Sequence, residues 1–355
     1  MLGRGSAVQR GAISPAFPYG MKRLAVLDAE MAYVDVGQGD PIVFLHGNPT
    51  SSYMWRNVIP YAVPFGRVLA PDLIGFGQSG KSPRGAYRFF DHVAYLDAWF
   101  EKLALTKNIV LVVQDWGAAL GFNRTSRHPD SVAGLVYMEA MVRPRRWTDM
   151  PPERQQIFRR LRGPEGENLV LGDNFFVEKM LFEYGVIRKL SDEEKAVYAA
   201  PFDTPESRLP TLIFPRDIPF DGQPADMSAA VERYSVWMGA STHLPKLFID
   251  ASQGHGTAGA AREHCLKWPN QTTVTVEAKH YVPEDCPHEI GEALVEFLKR
   301  VRGDAWKELA TPSGGAPERA RFGSSVRYRA PVGVRVGRLQ LPAGADRRRR
   351  AAILG

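Results

Sequence analysis

Asp115 stands where a short apolar run turns abruptly into a segment of small and apolar residues. The run, residues 109–113, predicts a buried strand, and residues 118–122 predict the start of a helix. A strand, a sharp turn and a helix, with small residues around one exposed side chain, are typical of a nucleophile elbow. The exposed residue of such an elbow is usually Ser. We therefore interpret Asp115 as a nucleophilic carboxylate.

An Asp at this position restricts the chemistry. A carboxylate attacks without first losing a proton, so it suits displacement at a saturated carbon. The product is an ester, which water can cleave, whereas a Ser would form an ether that water does not readily cleave. The elbow therefore predicts an alkyl halide or an epoxide as the substrate.

The elements that must position Asp115 alternate between strands and helices. Strands separated by helix-length segments indicate a parallel sheet covered on both faces, which is an α/β fold. Helices are expected over residues 90–103 and 290–301. The predicted strands comprise residues 31–36, 41–45, 67–70, 109–113, 132–138, 245–249 and 271–276.

The strand pattern stops between residues 142 and 239, where helical patterning appears around residues 155–161, 174–181 and 229–238. This range predicts a helical cap inserted into a core of residues 21–141 and 240–302. Residues 1–20 are expected to form a flexible leader, with Met21 as an alternative start. Residues 303–355, rich in Gly, Pro, Ala and Arg, are expected to form a basic, disordered tail.

Composition narrows the class further. The chain has 355 residues, 44% of them hydrophobic and 24% charged, which is ordinary for a globular enzyme. No apolar run is long enough to span a membrane. Cys265 and Cys286 fit neither a disulfide framework nor a metal spacing, so both predict reduced packing residues in a cytoplasmic protein.

The net charge of +6 comes from the tail. Residues 303–355 hold 11 Lys and Arg against 4 Asp and Glu, while the remainder is nearly neutral. A basic tail can bind nucleic acid. The chain contains no nucleic-acid-binding motif, and its basic residues are not interleaved with aromatic ones. We therefore expect no nucleic-acid partner and no membrane partner. Self-association through the tail is the interaction that we keep as a hypothesis.

Four segments together resemble the haloalkane dehalogenase family of α/β-hydrolases, and most closely its hexachlorocyclohexane-degrading subfamily. The resemblance covers about residues 21–302. Gln114 departs from the family, which usually has His there, and we expect little effect because that side chain should point away from the reacting carbon. The segments are residues 46–57 (HGNPTSSYMWRN), 72–79 (DLIGFGQS), 114–117 (QDWG) and 280–285 (HYVPED).

The resemblance implies roles for three further residues. Asn48, at the end of an upstream strand, and Trp116 would clamp the departing halide, because an amide and an indole N–H donate hydrogen bonds without titrating. The backbone N–H groups of the same two residues would form the oxyanion hole. His280, in a loop after a strand, would deprotonate the water that hydrolyses the ester on Asp115.

The acid that orients His280 has two candidates. Glu139 ends the strand at residues 132–138 and matches the acid of the resembled subfamily. Asp250 ends the strand at residues 245–249, where other α/β-hydrolases place theirs. We favour Glu139, because Asn48 as halide partner accompanies the Glu arrangement in this family.

Three cap residues, Phe158, Phe176 and Pro215, match positions that line the family's substrate pocket. An apolar cavity suits a haloalkane and would also desolvate Asp115. The resemblance implies no cofactor and no metal. The partners it implies are a small halogenated hydrocarbon, water and a halide ion.

The sequence therefore predicts a haloalkane dehalogenase, a hydrolase that converts a haloalkane to an alcohol, a halide and a proton. One alternative is an epoxide hydrolase, which would need cap tyrosines to protonate the opening oxygen, with Tyr184, Tyr198 and Tyr234 available. Another is a luciferase-like, cofactor-independent oxygenase on the same scaffold. A catalytically inactive receptor is the least consistent with a complete triad.

Overall fold

A central sheet of eight strands organises the protein, as a computed structural model that describes residues 12–303 shows. The strand order is β1-β2-β4-β3-β5-β6-β7-β8, and all pairs from β4 to β8 are parallel. β1 and β2 pair antiparallel at one edge. The strands are β1 (Met21–Val26), β2 (Ala29–Val36), β3 (Pro41–Leu45), β4 (Arg67–Pro71), β5 (Ile109–Gln114), β6 (Val132–Met138), β7 (Lys246–Ala251) and β8 (Gln271–Val276).

Helices cover both faces of this sheet. Two segments between β6 and β7 are π-helical, Asn168–Gly172 and Phe176–Tyr184. The second replaces the α-helix that was predicted around residues 174–181. The α-helices are α1 (Ile59–Ala62), α2 (Phe89–Lys102), α3 (Trp116–Arg127), α4 (Pro152–Arg162), α5 (Glu165–Glu167), α6 (Asp192–Ala199), α7 (Leu209–Asp217), α8 (Ala225–Ala240), α9 (Ala260–Cys265), α10 (Val282–Asp285) and α11 (Pro287–Arg302).

The apolar strands β3 and β5 are buried on both sides. Successive side chains of a strand point to opposite faces, and Val43 and Leu45 accordingly belong to one buried cluster while Ile42 and Phe44 belong to the other. Continuous apolar runs are typical of parallel strands covered on both faces. The predicted α/β-hydrolase fold, with a mostly parallel sheet between helices, is confirmed.

The helices between β6 and β7 divide into two groups. α4 packs on α5 and α7, and these helices lie with α6 in the range predicted for the cap, so we refer to α4 to α7 as the cap helices. α8 instead packs on α3, where the ring of Tyr234 lies 5.5 Å from that of Phe122. Although α8 falls inside the range predicted for the cap, residues 142–239, it belongs to the layer that covers the sheet.

The N-terminal segment departs from the expected flexible leader over its described part, residues 12–20. Ser14 donates its N–H to Asn57 Oδ1 at 3.0 Å, and its carbonyl accepts from Arg56 Nε at 2.8 Å. Tyr19 donates its hydroxyl to the carbonyl of Arg56 at 3.0 Å. This part of the leader therefore lies against the core. Residues 1–11 and the predicted tail, apart from Gly303, lie outside the described residues.

Within residues 12–303, no helix combines the length and the apolar character needed to cross a membrane.

Candidate active site

Asp115 occupies the turn between β5 and α3, as the elbow pattern predicts. Its backbone has φ 53° and ψ −122°, a conformation that residues other than Gly rarely adopt. The turn projects the carboxylate from the carboxyl end of β5, and 21% of the side-chain surface stays accessible. Asp115 is therefore a strained residue that faces open space above the sheet.

The loop after β3 crosses directly over this carboxylate. The N–H of Asn48 donates to Asp115 Oδ1 at 2.8 Å. A Cβ on Gly47 would come within 2.2 Å of the same oxygen, so the loop can approach so closely only because residue 47 has no side chain. Gly117 has the same function below the elbow, since a Cβ there would meet the carbonyl of Leu45 at 2.2 Å.

His280 lies between two carboxylates. Its Nε2 is 3.5 Å from Asp115 Oδ2, and its Nδ1 is 2.9 Å from Glu139 Oε2. The residue follows β8 in a loop, and Glu139 follows β6. Both loops leave the carboxyl edge of the sheet, where β5 also ends, and this shared edge brings the three side chains together.

The loop after β7 holds Glu139 in place. The N–H groups of His255 and Gly256 donate to Glu139 Oε2 at 2.8 and 2.7 Å, and that of Thr257 donates to Oε1 at 3.3 Å. A Cβ on Gly254 would meet Oε1 at 2.2 Å. The carboxylate is thus fixed by backbone donors, two of which bind the same oxygen, Oε2, that contacts His280.

Asp250, the alternative acid, pairs with a different partner. Both of its oxygens lie 3.0 Å from Arg262 Nε, and Oδ2 also lies 2.8 Å from Arg262 Nη2. Thr275 donates its hydroxyl to the same Oδ2 at 3.2 Å. The structure therefore places Glu139, and not Asp250, against His280.

The two carboxylates set the charge of His280. Burial alone would lower the pKa of His280, but the hydrogen bonds and negative charges of Asp115 and Glu139 outweigh it and raise that pKa to about 9. His280 is thus protonated at neutral pH while Asp115 is a free carboxylate. Any reaction that neutralises Asp115 removes one of these stabilising charges, so it lowers the pKa of His280.

Asn48 and Trp116 both adjoin the nucleophile, since the N–H of Asn48 donates to Asp115 Oδ1 and Trp116 follows Asp115 in the chain. The indole of Trp116 is stacked on Phe214 of α7, with ring centroids 4.5 Å apart and planes at 18°. Asn48 Nδ2 makes a long contact of 3.3 Å with the carbonyl of Thr211, also in α7. The cap helix α7 therefore fixes the orientation of both side chains, which the sequence did not indicate.

The three predicted pocket residues all lie in the cap. Phe158 and Phe176 pack in one apolar cluster with Leu161 and Leu212. Pro215 is buried in α7 beside Phe214. That these three residues line a substrate pocket stays a prediction.

Gln114 contributes to the site in a way that the sequence analysis did not foresee. Its side chain points away from Asp115, as expected, but it is fully buried and donates from Nε2 to the carbonyl of His280 at 3.0 Å. Gln114 therefore holds the backbone of His280 in place through this hydrogen bond.

His255 is a second residue that was missed. Its imidazole is stacked on that of His280, with centroids 4.5 Å apart and an angle of 24°. Burial and the nearby charges of His280, Arg154 and Arg145 hold the pKa of His255 well below its usual range, so this ring is neutral. A neutral, flat neighbour keeps the imidazole of His280 in one plane.

Glu139, His255 and His280 bring one potential ligand atom each to within 4.8 Å of the others. Because the two imidazoles are stacked, their nitrogen lone pairs lie in nearly parallel planes and do not converge on one point. The Glu139 carboxylate already accepts three backbone N–H groups and His280. These residues do not fit a metal ion.

The fold and the elbow define an α/β hydrolase. The sequence model of the family described as alpha/beta hydrolase fold matches residues 40–183. Asp115 and Glu139 lie within this match, whereas Asp250 and His280 lie beyond it, in the part of the fold that completes the sheet.

Known relatives show which family of α/β hydrolases the chain belongs to. A haloalkane dehalogenase of Sphingobium indicum is 47% identical over 292 residues, which cover 81% of this chain and 98% of that protein. The crystal structure of a haloalkane dehalogenase from Bradyrhizobium elkani superposes with a TM-score of 0.76 at 40% identity, covering 80% of this chain and 98% of the other. The chain belongs to the haloalkane dehalogenase family. A coelenterazine h 2-monooxygenase of Renilla reniformis is also similar, at 41% identity over 79% of this chain and 91% of that protein.

Proposed function

We propose that the protein is a haloalkane dehalogenase that hydrolyses carbon–halogen bonds through a covalent ester on Asp115. The single observation that carries this mechanism is the position of His280, 3.5 Å from Asp115 and 2.9 Å from Glu139. A carboxylate nucleophile, a histidine base and an acid behind the base are the parts that ester formation and hydrolysis need.

In the first step, one oxygen of Asp115 attacks the carbon that bears the halogen. The new carbon–oxygen bond forms as the carbon–halogen bond breaks, and the halide leaves with the electron pair. The indole N–H of Trp116 and the amide of Asn48 donate to the halide as its charge develops. The stack of Trp116 on Phe214 holds the indole in place before the reaction begins.

In the second step, water cleaves the ester. Alkylation has removed the charge of Asp115, so the pKa of His280 falls and the imidazolium releases its proton to solvent. The neutral imidazole can then accept a proton from water. The hydroxide attacks the carbonyl carbon of the ester, and the backbone N–H groups of Asn48 and Trp116 stabilise the oxyanion. The bond between the carbonyl carbon and the alkyl oxygen breaks, and the departing alkoxide takes the proton from His280 and leaves as the alcohol. The new carboxyl group of Asp115 gives its proton to His280, which restores the carboxylate and the imidazolium, while Glu139 holds His280 throughout.

The cap tyrosines argue against an epoxide hydrolase. Tyr198 donates its hydroxyl to Glu284 and Tyr234 donates to the carbonyl of Met141 at 2.6 Å. Tyr184 is half exposed at the surface. None of the three therefore serves as a free donor to an opening epoxide oxygen.

Halide release tests the proposal directly. The protein is incubated with 1-bromobutane, and bromide and the alcohol are measured over time. We expect both in equal amounts from the wild type and neither from Asp115→Ala. If bromide is not released from any short- or medium-chain bromide tried, the proposal is wrong.

The similarity to the Renilla monooxygenase supports an oxygenase as the second candidate. A parallel assay with coelenterazine distinguishes the two. Light emission without bromide release would favour the oxygenase.

Two finer predictions accompany this function. One is location in the cytoplasm, which cell fractionation tests. The other is self-association through residues 303–355, tested by comparing the mass of the full chain in solution with that of a chain ending at Arg302.

A further inference from the structure

Two arginines of the cap lie beside the catalytic groups and have no role in the reaction described above. Arg145 follows β6, and Arg154 lies in the first turn of α4. Arg145 donates from Nη2 to the carbonyl of Gly256 at 2.8 Å, and the N–H of Gly256 binds Glu139 at 2.7 Å. Gly256 therefore connects the guanidinium of Arg145 to Glu139, the acid that orients His280.

An aromatic pair joins the two arginines. Arg154 and Phe158 are four residues apart on α4, so they share one face of that helix. The ring of Phe158 lies 5.6 Å from that of Phe220, and Phe220 forms a β-bridge with Arg145. The face of α4 that carries Phe158 therefore also carries Arg154.

Neither guanidinium has a counter-ion. Within residues 12–303, no carboxylate oxygen lies within 4.0 Å of Arg145 or Arg154. Neighbouring arginines of the cap are paired: Arg143 with Asp149 at 2.7 Å, and Arg160 with Glu165 at 2.8 Å. Arg159 and Arg162 of α4 also have no carboxylate within 4.0 Å among the described residues, but Arg159 lies over the ring of Trp147 and Arg162 donates to backbone carbonyls of α7.

Both cations lose hydration without a carboxylate to pair with. Burial lowers the pKa of Arg145 and of Arg154, and the charges of Glu139 and, for Arg145, of Asp115 offset this only in part. Desolvating a charge without pairing it costs free energy. A site that binds only neutral haloalkanes has no use for these charges.

The arginines also change the net charge of the site from negative to positive. Asp115 and Glu139 are negative and His280 is positive, so these three groups alone repel a negatively charged substrate. Arg145 and Arg154 add two positive charges, which makes the sum of the five groups positive. Opposite charges in a poorly solvated cavity attract strongly.

We propose that Arg145 and Arg154 form an anion subsite that binds the carboxylate of a halogenated alkanoate whose halogen is at the far end of the chain. This inference rests on the proposed function and names its substrate class. A guanidinium presents paired N–H donors that match the two oxygens of a carboxylate. The carboxylate lies at the arginines while the halogenated carbon lies at Asp115.

The reaction itself is unchanged. Asp115 displaces halide from the terminal carbon, water cleaves the ester, and the products are a hydroxyalkanoate, a halide ion and a proton. The carboxylate of the substrate takes no part in bond making, so the arginines contribute to binding.

A matched pair of substrates tests this, namely 6-bromohexanoate and 6-bromohexanamide. They have the same length and differ in charge at the end remote from bromine. We expect the wild type to have the higher kcat/KM for the carboxylate. Arg145→Met and Arg154→Met should each reduce kcat/KM for the carboxylate by about tenfold to a hundredfold, the range for a hydrogen bond to a charged group.

The loss should appear in KM and leave kcat nearly unchanged, because the arginines contact a part of the substrate that does not react. The amide should be converted equally well by the wild type and by Arg154→Met. Arg160→Met, on the same helix but paired with Glu165, is the control and should leave both substrates unaffected. If the ratio of kcat/KM for the carboxylate to kcat/KM for the amide is the same in the wild type and in Arg154→Met, the inference is overturned.

Calorimetry separates this inference from the proposed function. Hexanoate should bind the wild type more tightly than hexanamide or sodium bromide, and Arg154→Met should lose that preference. This result does not depend on turnover. Bromide release from the amide but not from the carboxylate, with no hexanoate binding, would contradict the anion subsite and leave the dehalogenase intact. Tighter binding of bromide than of hexanoate would assign the arginines to the leaving halide instead, and would also overturn the inference.

Discussion

Nδ1 of His280 lies 2.9 Å from Oε2 of Glu139, although 141 residues separate the two in the chain. Asp250, the other acid at the same edge of the sheet, is held by Arg262. The contact of His280 with Glu139 leads to the first prediction.

Glu139→Gln should reduce kcat by about a hundredfold or more, in line with the usual contribution of general acid–base catalysis. A neutral amide does not stabilise the imidazolium that forms when His280 takes a proton from water. Steady-state bromide release from 1-bromobutane measures the effect.

Asp250→Asn is the matched comparison, since it makes the same change of charge at the other acid. It should keep kcat within a few-fold of wild type and lose roughly 1 kcal/mol of stability through its pair with Arg262. If Asp250→Asn is the inactive variant, the acid is Asp250.

His280→Phe should form the ester but fail to hydrolyse it. With 1-bromobutane, the intact mass of this variant should increase by one butyl group, and peptide mapping should locate that group on Asp115. One equivalent of bromide should appear in a single burst. The double variant Asp115→Ala, His280→Phe should gain no mass. A butyl group on any other residue would contradict the assignment of the nucleophile.

Stability should depend on pH through His280. Its pKa rises from 6.5 to about 9 in the folded protein, so its contribution is fully present below pH 6.5 and is lost as the pH rises through about 9. The free energy of unfolding, measured in urea, should therefore fall between pH 6.5 and pH 9. His280→Phe should show a smaller fall over the same range, and identical slopes would be inconsistent with the raised pKa.

Gln114→Leu should impair catalysis although residue 114 does not contact the substrate. It removes the hydrogen bond to the carbonyl of His280, which we expect to cost about 1 kcal/mol in stability and several-fold in kcat. Because His280 acts mainly on the ester, the burst of bromide should persist while the later steady-state rate falls. Gln114→His, which keeps an N–H donor at this position, should restore the steady-state rate. A slower burst would mean that Gln114 also affects the attack by Asp115.

The cap is tied to the core by buried ion pairs. Arg56 and Glu284 of the core are fully buried and 2.6 Å apart, and both contact the cap through Arg188 and Glu194. Arg56→Met should leave Glu284 short of positive charge and lower the free energy of unfolding by about 3 kcal/mol. Arg23→Met, which breaks an exposed pair with Glu30, is the control and should cost less than about 1 kcal/mol. Equal losses would mean that burial does not set the strength of this pair.

The sequence by itself determined the sheet and the elbow. Apolar runs such as residues 109–113 specify buried strands locally, and their alternation with helical segments specifies a parallel sheet. The small residues that follow Asp115 in the chain, such as Gly117 and Ala118, indicate the sharp turn. Such features depend on residues close together in the chain and can be read there.

Only the tertiary structure decided which of the two acids contacts His280, because Glu139 and Asp250 both end strands at the same edge of the sheet. Their distinction depends on side-chain direction and on distant partners, the loop of His255 for one and Arg262 for the other. The same holds for Gln114 and for the unpaired arginines Arg145 and Arg154. A charged residue in a helical cap is usually a solvated one, and it becomes part of a site only when folding places it beside groups far away in the sequence.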